Sequence, residues 1–240
     1  MSEILSNIAR TNERSAPTAE LHVEVIADFV CPFSYIGKRR LDRALESVGG
    51  PSDVEWYPFQ LNPDMPAEGM PFEDYLKSRF GGRANIQPVL DDLAREGRDE
   101  GIVFNFHLQQ RVPNTLKAHQ LMYLAEIEGV NQTALAESLF SNFFEHGLDI
   151  SDPEVLVRIA RPHGLSREQV LAALADDKAR QFVQSREAQV RASGLSSVPG
   201  FLINRRLLVV GAQSTETLVN AFDHAMFGDG NDSLVSPALH

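Results

Sequence analysis

The sequence predicts an α/β fold in which a small mixed sheet, covered by helices, is interrupted by a large all-helical insertion. Three observations predict it. Strand texture is confined to the two ends of the chain, and the long stretch between them carries only helical periodicity. The first two strands are separated by a helix, so a right-handed crossover makes them parallel neighbours.

Residues 1–20 mix Glu3, Arg10, Glu13 and Arg14 with small polar side chains and read as a tail. From Leu21 to Val30 the chain alternates, with Leu21, Val23, Val25 and Ala27 on one face and His22, Glu24 and Ile26 on the other, as a strand does. A helix follows Cys31-Pro32, with Leu41, Ala44, Leu45 and Val48 on its apolar face and Gly49-Gly50-Pro51 as its stop. Val54 to Phe59 is a second strand, which Pro58 pushes to an edge or a bulge. From about Pro63 to Ser193 one helix succeeds another, with Leu135, Leu139 and Phe143 in one stripe and Val155, Leu156, Ile159 and Ala160 in another. Ser151-x-x-Glu154 and Ser166-x-x-Gln169 have the spacing of capping boxes, and Asn114 and Asn131 are further cap candidates. Strand texture returns at Phe201–Asn204 and Leu207–Val210, which flank Arg205-Arg206 as a two-residue hairpin loop without glycine. A final helix places Leu218, Ala221, Phe222 and Ala225 on one side, and residues 229–240 read as a second tail. The expected organisation is therefore a sheet domain from 21–62 and 194–228, with a helical insertion at 63–193.

A chain of 240 residues can bury a sizeable core without disulfides or metals. With 33 acidic and 22 basic residues, the formal charge of −11 disfavours nucleic acid and anionic lipid, and the longest basic run is only Lys38-Arg39-Arg40. No apolar run approaches a membrane span, and no secretory signal core is visible. The single cysteine, Cys31, rules out an internal disulfide and a multi-thiolate zinc site and fits a reducing compartment, so a cytoplasmic location is expected. No His-x-x-x-His spacing occurs, so no metal is expected. His107 and His119 read as ordinary surface or helix-face residues, and Asp91-Asp92 beside Arg95 and Arg98 as a solvated face. Phe104, Phe106, Phe140, Phe143 and Phe144 serve either as core or as the wall of a pocket between insertion and sheet.

Cys31 stands where a strand ends and a helix begins. A helix N-terminus offers free N–H groups and a partial positive charge, which favour a thiolate. The expectation is a thiol pKa well below the free value, with the Ser34 hydroxyl three residues on able to donate to the sulfur. The competing reading is a small buried hydrophobe. Val198-Pro199, before the strand Phe201–Asn204, would offer its backbone to a ligand if the bond were cis.

The run Asp28-Phe29-Val30-Cys31-Pro32-Phe33-Ser34-Tyr35-Ile36-Gly37-Lys38 resembles the active-site segment of the DsbA-like thioredoxin-fold family, nearest to its FrnE-like branch with the pattern D-x-x-C-P-W-C-Y-I-G-K. Pro58-Phe59-Gln60-Leu61-Asn62-Pro63, Asn114-Thr115-x-x-Ala118-His119, and Ser197-Val198-Pro199-Gly200-Phe201-Leu202-Ile203-Asn204 followed by Gly211-Ala212-Gln213 agree with it in order and spacing. The resemblance implies a thioredoxin-like fold with a helical insertion and a cis Pro199. It implies that Cys31 is the nucleophile, with Ser34 and Pro199 completing the catalytic group. Pro32, Phe33, Asn62, Val198, Gln213 and Ser214 fall at substrate- or glutathione-contacting positions, although Ser214 is equally a plain helix cap.

The departure lies in the second cysteine, which is Ser34 here, and the tryptophan, which is Phe33. Any disulfide must then be intermolecular and be broken by an outside thiol. The leading expectation is a thiol–disulfide oxidoreductase acting through one cysteine by mixed disulfides on protein or small-molecule partners, with no tightly bound cofactor and glutathione as a co-substrate. The alternatives are a glutathione-dependent transferase or isomerase, as in the similar 2-hydroxychromene-2-carboxylate isomerases and kappa-class glutathione transferases, and a redox-inactive peptide-binding or chaperone module. Monomer and homodimer are both compatible with the sequence.

Overall fold

The computed structural model describes residues 21–228, so the tails expected at 1–20 and 229–240 lie outside the described residues. In chain order the elements are β1 (Leu21–Ala27), α1 (Pro32–Val48), β2 (Ser52–Pro58), β3 (Met70–Pro71), α2 (Phe72–Phe80), α3 (Arg83–Asp99), β4 (Arg111–Val112), α4 (Leu116–Ile127), α5 (Gln132–Phe144), α6 (Pro153–Ala160), a 3-10 turn at Arg161–His163, α7 (Arg167–Ala175), α8 (Asp177–Ala192), β5 (Gly200–Ile203), β6 (Leu207–Val210) and α9 (Thr215–Phe227). Four strands form one sheet in the order β2-β1-β5-β6. β1 and β2 run parallel with Ala27 opposite Pro58, while β5 and β6 are antiparallel, with Val25 opposite Phe201 and Ile203 opposite Leu207. Pro58 thus lies on an edge strand, where its missing N–H breaks no ladder.

The alternation of β1 has a direct physical outcome. Leu21, Val23, Val25 and Ala27 enter the main hydrophobic cluster, whereas Ile26 joins a second one with Tyr57, Phe59, Val190 and Leu202. Each such aliphatic side chain contributes roughly 1.5–3 kcal/mol on burial. The main cluster also takes Leu41 and Ala44 of α1, Leu135, Leu139 and Phe143 of α5, Val155, Leu156 and Ile159 of α6, and Leu218 and Phe222 of α9. The sheet layer and the helical block therefore share one core. Met65, Phe72, Leu76 and Val112 form a separate, smaller cluster under α2.

Local details differ from expectation in three places. A two-stranded ribbon, β3–β4, interrupts the helical block, and strands of two residues are too short to leave an alternation in sequence. The helix expected to open at Ser151 is capped instead by Asp152, whose side chain accepts from the Glu154 amide, while the Ser151 hydroxyl donates to Asp149. The hairpin loop has three residues, because Asn204 and Arg205 take left-handed φ of 48° and 55° and supply the turn that glycine otherwise would. The Ser166–Gln169 capping box and the Asn131 cap form as expected, and Asn114 Oδ1 accepts from the Leu116 amide at 2.9 Å.

The basic run on α1 is fully engaged. Lys38 pairs with Asp42 at 2.7 Å and Glu137 at 2.6 Å, Arg39 with Glu137 at 2.6 Å, and Arg40 with Glu96 at 2.8 Å and Glu100 at 2.7 Å. The Tyr35 hydroxyl lies 2.7 Å from carboxylates of both Glu137 and Glu145. These contacts tie α1 to α3 and α5. Among the described residues no helix is long and apolar enough to cross a membrane.

Lys38 is only 5% exposed, so removing the carboxylate that bridges it to Arg39 leaves a buried charge short of a partner. Glu137→Ala is expected to lower unfolding stability by about 2–4 kcal/mol in a urea melt. A loss below about 0.5 kcal/mol would mean that the cluster is a surface ornament worth no more than an exposed pair.

Candidate active site

β1 ends at Ala27 and the chain turns through Asp28–Val30 into α1, with Cys31 as the N-cap in extended conformation and Pro32 as the first helical residue. Proline is harmless there because its N–H would have had no intrahelical partner. The turn is closed by the Cys31 amide, which donates to the Asp28 carbonyl at 3.0 Å. The Cys31 thiol faces the carbonyl of Val198 at 3.7 Å across the sheet end. The Val198–Pro199 bond is cis, as the resemblance implied. Pro199 rests on α1 at Gly37, where a Cβ would stand 2.8 Å from Pro199 Cγ and 3.1 Å from Phe201 Cζ. Glycine is required there by that close approach.

Beside the sulfur is a cavity of about 380 Å³ at the seam between the sheet end and the helical block. Cys31, Pro32, Phe33, Asn62 and Val198 line it together with Phe106, Gln109, Phe143, Phe144 and the apolar faces of α2 and α3. Five of the predicted site residues thus converge. Phe33, Phe80 and Val89 line it and are also exposed, so it opens through an apolar rim. Ser34 is buried against the sulfur and Pro199 sits behind Val198 on Gly37; neither lines the cavity. Gln213 and Ser214 do not line it either. The Gln213 amide group donates to the Val210 carbonyl at 2.8 Å, and Ser214 caps α9 by accepting from the Thr217 amide at 3.1 Å, the plainer of its two expected roles. Phe104 and Phe140 are core residues, packed with Tyr35.

The expected low pKa of Cys31 is overturned. The residue is only 4% exposed, and burial pushes its thiol up to about 11. The nearby Ser34 hydroxyl and the Ser34 and Phe33 amides pull the other way, but desolvation outweighs all three, and the nearby Asp28 charge adds to it. The helix N-terminus acts on the sulfur as expected; it acts in surroundings too apolar for it to prevail. At pH 7 about one molecule in ten thousand carries the thiolate.

Asp28 and His119 join the site from outside the predicted set; His119, expected on the surface or on a helix face, lies on α4 and is buried. Both are buried, and Asp28 Oδ1 lies 3.7 Å from His119 Nε2. Asp28 Oδ2 accepts from the Leu61 amide at 2.7 Å, which holds the segment bearing Asn62 against the cavity. Neighbouring amides are fixed in the same way, Phe59 by the Ala27 carbonyl and Gln60 by buried Glu187. Asp28 stands three residues before the cysteine, so only its place in the resembling motif marked it. Gln109 left no sequence signal, since it comes from a loop that the fold brings to the cavity. Among the described residues His22, Asp53 and Glu55 have side-chain atoms within 4.8 Å of one another, as metal ligands would. They lie at the far end of β1 and β2 from Cys31, and His22 is engaged by Asp53 at 3.1 Å and Glu24 at 3.4 Å.

Two outcomes are expected from the thiol's surroundings. The absorbance of the thiolate, taken as the difference between wild type and Cys31→Ser, should titrate near pH 11, and Ser34→Ala should move the midpoint higher by removing a group that favours the anion. At pH 7.5 iodoacetamide should modify Cys31 at least about 100-fold more slowly than free cysteine; a midpoint at or below 8.5 would show that the sulfur is solvated.

The pattern of the DSBA-like thioredoxin domain matches residues 22–223. The uncharacterized protein YwbO of Bacillus subtilis (strain 168) is 29% identical over 186 residues, which cover 76% of this chain and 86% of YwbO. The crystal structure of the probable DsbA oxidoreductase SCO1869 from Streptomyces coelicolor superposes with a TM-score of 0.77 at 28% identity, covering 91% of this chain and 94% of that one. The cytosolic disulfide reductase DsbM from Pseudomonas aeruginosa, in a structure with GSH, shares the fold with a TM-score of 0.60 at 18% identity, covering 85% and 95%. The strand–turn–cysteine–helix junction, the cis proline facing it and the match along most of the chain place this protein in the DSBA-like thioredoxin domain family.

Proposed function

We propose that the protein catalyses thiol–disulfide exchange through Cys31 alone. The observation that carries this reading is the position of the sulfur: it caps α1, faces the Val198 carbonyl, and borders a cavity large enough for a small molecule. Cys31 is the chain's only cysteine, so no internal disulfide can follow the first step.

In the proposed cycle the Cys31 thiol loses its proton to water as the cavity fills. The thiolate, held by the Ser34 hydroxyl and the amides of Ser34 and Phe33, attacks one sulfur of a disulfide R–S–S–R′. The Cys31–S–R bond forms, the S–S bond breaks, and R′–S⁻ leaves and takes up a proton. A thiol R″–SH from solution then attacks the substrate-side sulfur, releasing R–S–S–R″ and the Cys31 thiol. The net reaction is exchange of R′ for R″, with no change in overall oxidation state. A thiolate of raised pKa is scarce but more nucleophilic, because nucleophilicity rises with basicity.

The apolar cavity favours one second reading, a glutathione-dependent isomerase or transferase, in which Phe106, Phe143 and Phe144 hold an aromatic substrate while glutathione lies along Ser196–Val198 at the mouth. The GSH carried by the DsbM structure lends it support. Calorimetric titration separates the two: binding of both glutathione and S-methylglutathione supports the second reading.

Because only the thiolate attacks, the exchange rate should rise about tenfold per pH unit from pH 7 to 10 and vanish in Cys31→Ser. Following released thiol against pH tests this, and a rate that is flat from pH 7 to 9 would sink the single-thiolate mechanism.

A further inference from the structure

Among the described residues, no Asp, Glu, Lys, Arg or His lines the cavity beside Cys31. Its walls are mostly aliphatic and aromatic, with Asn62, Tyr75, Gln109, Ser196 and Ser197 as the uncharged polar members, and its rim carries exposed Phe33, Phe80 and Val89. The sulfur is 4% exposed and borders this space. A partner must therefore enter the cavity to react, and a bulky protein disulfide resting on the surface does not reach it.

Among these polar groups, Gln109 is buried with an unpartnered donor. Gln109 is 6% exposed, and its Nε2 has no hydrogen-bond partner. A buried amide donor left unpaired is costly, and native interiors rarely contain one unless something else satisfies it. The residue lines the cavity from the loop before β4, whereas Cys31 lines it from the start of α1. A molecule in the space can thus meet the sulfur and the amide together.

We propose that the cavity takes a small, uncharged, apolar disulfide carrying one hydrogen-bond acceptor, and that Gln109 Nε2 donates to that acceptor and selects for it. This rests on the thiol–disulfide reading of Cys31. Charged disulfides are disfavoured, because an ammonium or carboxylate carried into this lining would lose its hydration without a counter-charge. The covalent step is the first exchange described above: the Cys31–S–R bond forms, the R–S–S–R′ bond breaks, and the thiol proton ends on R′–SH.

The test uses the full chain and three disulfides at pH 8.5: bis(4-acetylphenyl) disulfide, diphenyl disulfide and oxidised glutathione. Adduct formation at Cys31 is followed by intact mass, and each rate is divided by the rate of the same disulfide with N-acetylcysteine. The two aryl disulfides should exceed oxidised glutathione by about tenfold or more, and the acetyl compound should exceed the plain phenyl one by about three- to tenfold, the range for one hydrogen bond. Gln109→Met should abolish the preference for the acetyl compound. If oxidised glutathione reacts as fast as the aryl compounds, the uncharged-substrate claim is overturned. If the acetyl preference is absent in the wild type, or survives in both Gln109→Met and Gln109→Glu, the role of Gln109 is overturned. Non-covalent binding of 4-acetylbiphenyl to Cys31→Ser is measured by calorimetry as a separate arm. If it binds with Gln109-dependent affinity while none of the three disulfides forms an adduct with wild type, the exchange chemistry fails and the ligand class stands; absence of binding overturns the ligand class itself.

Discussion

The site depends on one buried carboxylate. Asp28 opens the turn after β1, and three elements meet on this residue: its backbone carbonyl takes the Cys31 amide, one carboxylate oxygen takes the Leu61 amide, and the other faces His119 on α4. The position of the sulfur, the loop carrying Asn62 and the start of the helical block are thereby fixed relative to one another. An acceptor-only side chain that takes a loop amide, on a residue whose own carbonyl closes the turn, is a simple way to hold a strand end and a loop together.

Around that anchor two effects oppose each other at the sulfur. The helix N-terminus and the Ser34 hydroxyl favour an anion, whereas the Val198, Leu202 and Phe59 surroundings of the second hydrophobic cluster remove the water an anion needs. The apolar side prevails. The result is a thiol that rests protonated, in a space suited to apolar molecules, although its place in the backbone is the one associated with reactive cysteines.

Much of this was legible in the sequence. The alternation of Leu21–Ala27, the apolar stripes at Leu135, Leu139 and Phe143, and the paired strands near the C-terminal end fixed the order of elements, because burial on one face imposes a period that survives without coordinates. Cys31 could be placed at the strand–helix junction, and the motif resemblance brought Asn62 and Val198 to it. What could not be read was the outcome of competition between long-range effects. The pKa of Cys31 depends on burial against groups distant in sequence, such as Val198. His119 looks like any helical histidine until Phe29 is seen to pack on it at 5.1 Å, and Gln109 becomes conspicuous only once its neighbours are known to be apolar. The ribbon of β3 and β4 is too short for any period.

The difference between buried and exposed ion pairs has a consequence for local opening. Swinging α5 away from α1 would break the contacts of Glu137 with both Lys38 and Arg39, and the C-terminal part of α3 is held to Arg40 through Glu96 and Glu100. α2 has a weaker hold, since Phe72 and Leu76 rest on a satellite cluster of their own rather than on the main core and its ion pair, Glu73 with Arg83, is exposed. Local opening follows the least-anchored element, so the amides of Phe72–Phe80 should exchange with solvent before those of α1 and α5.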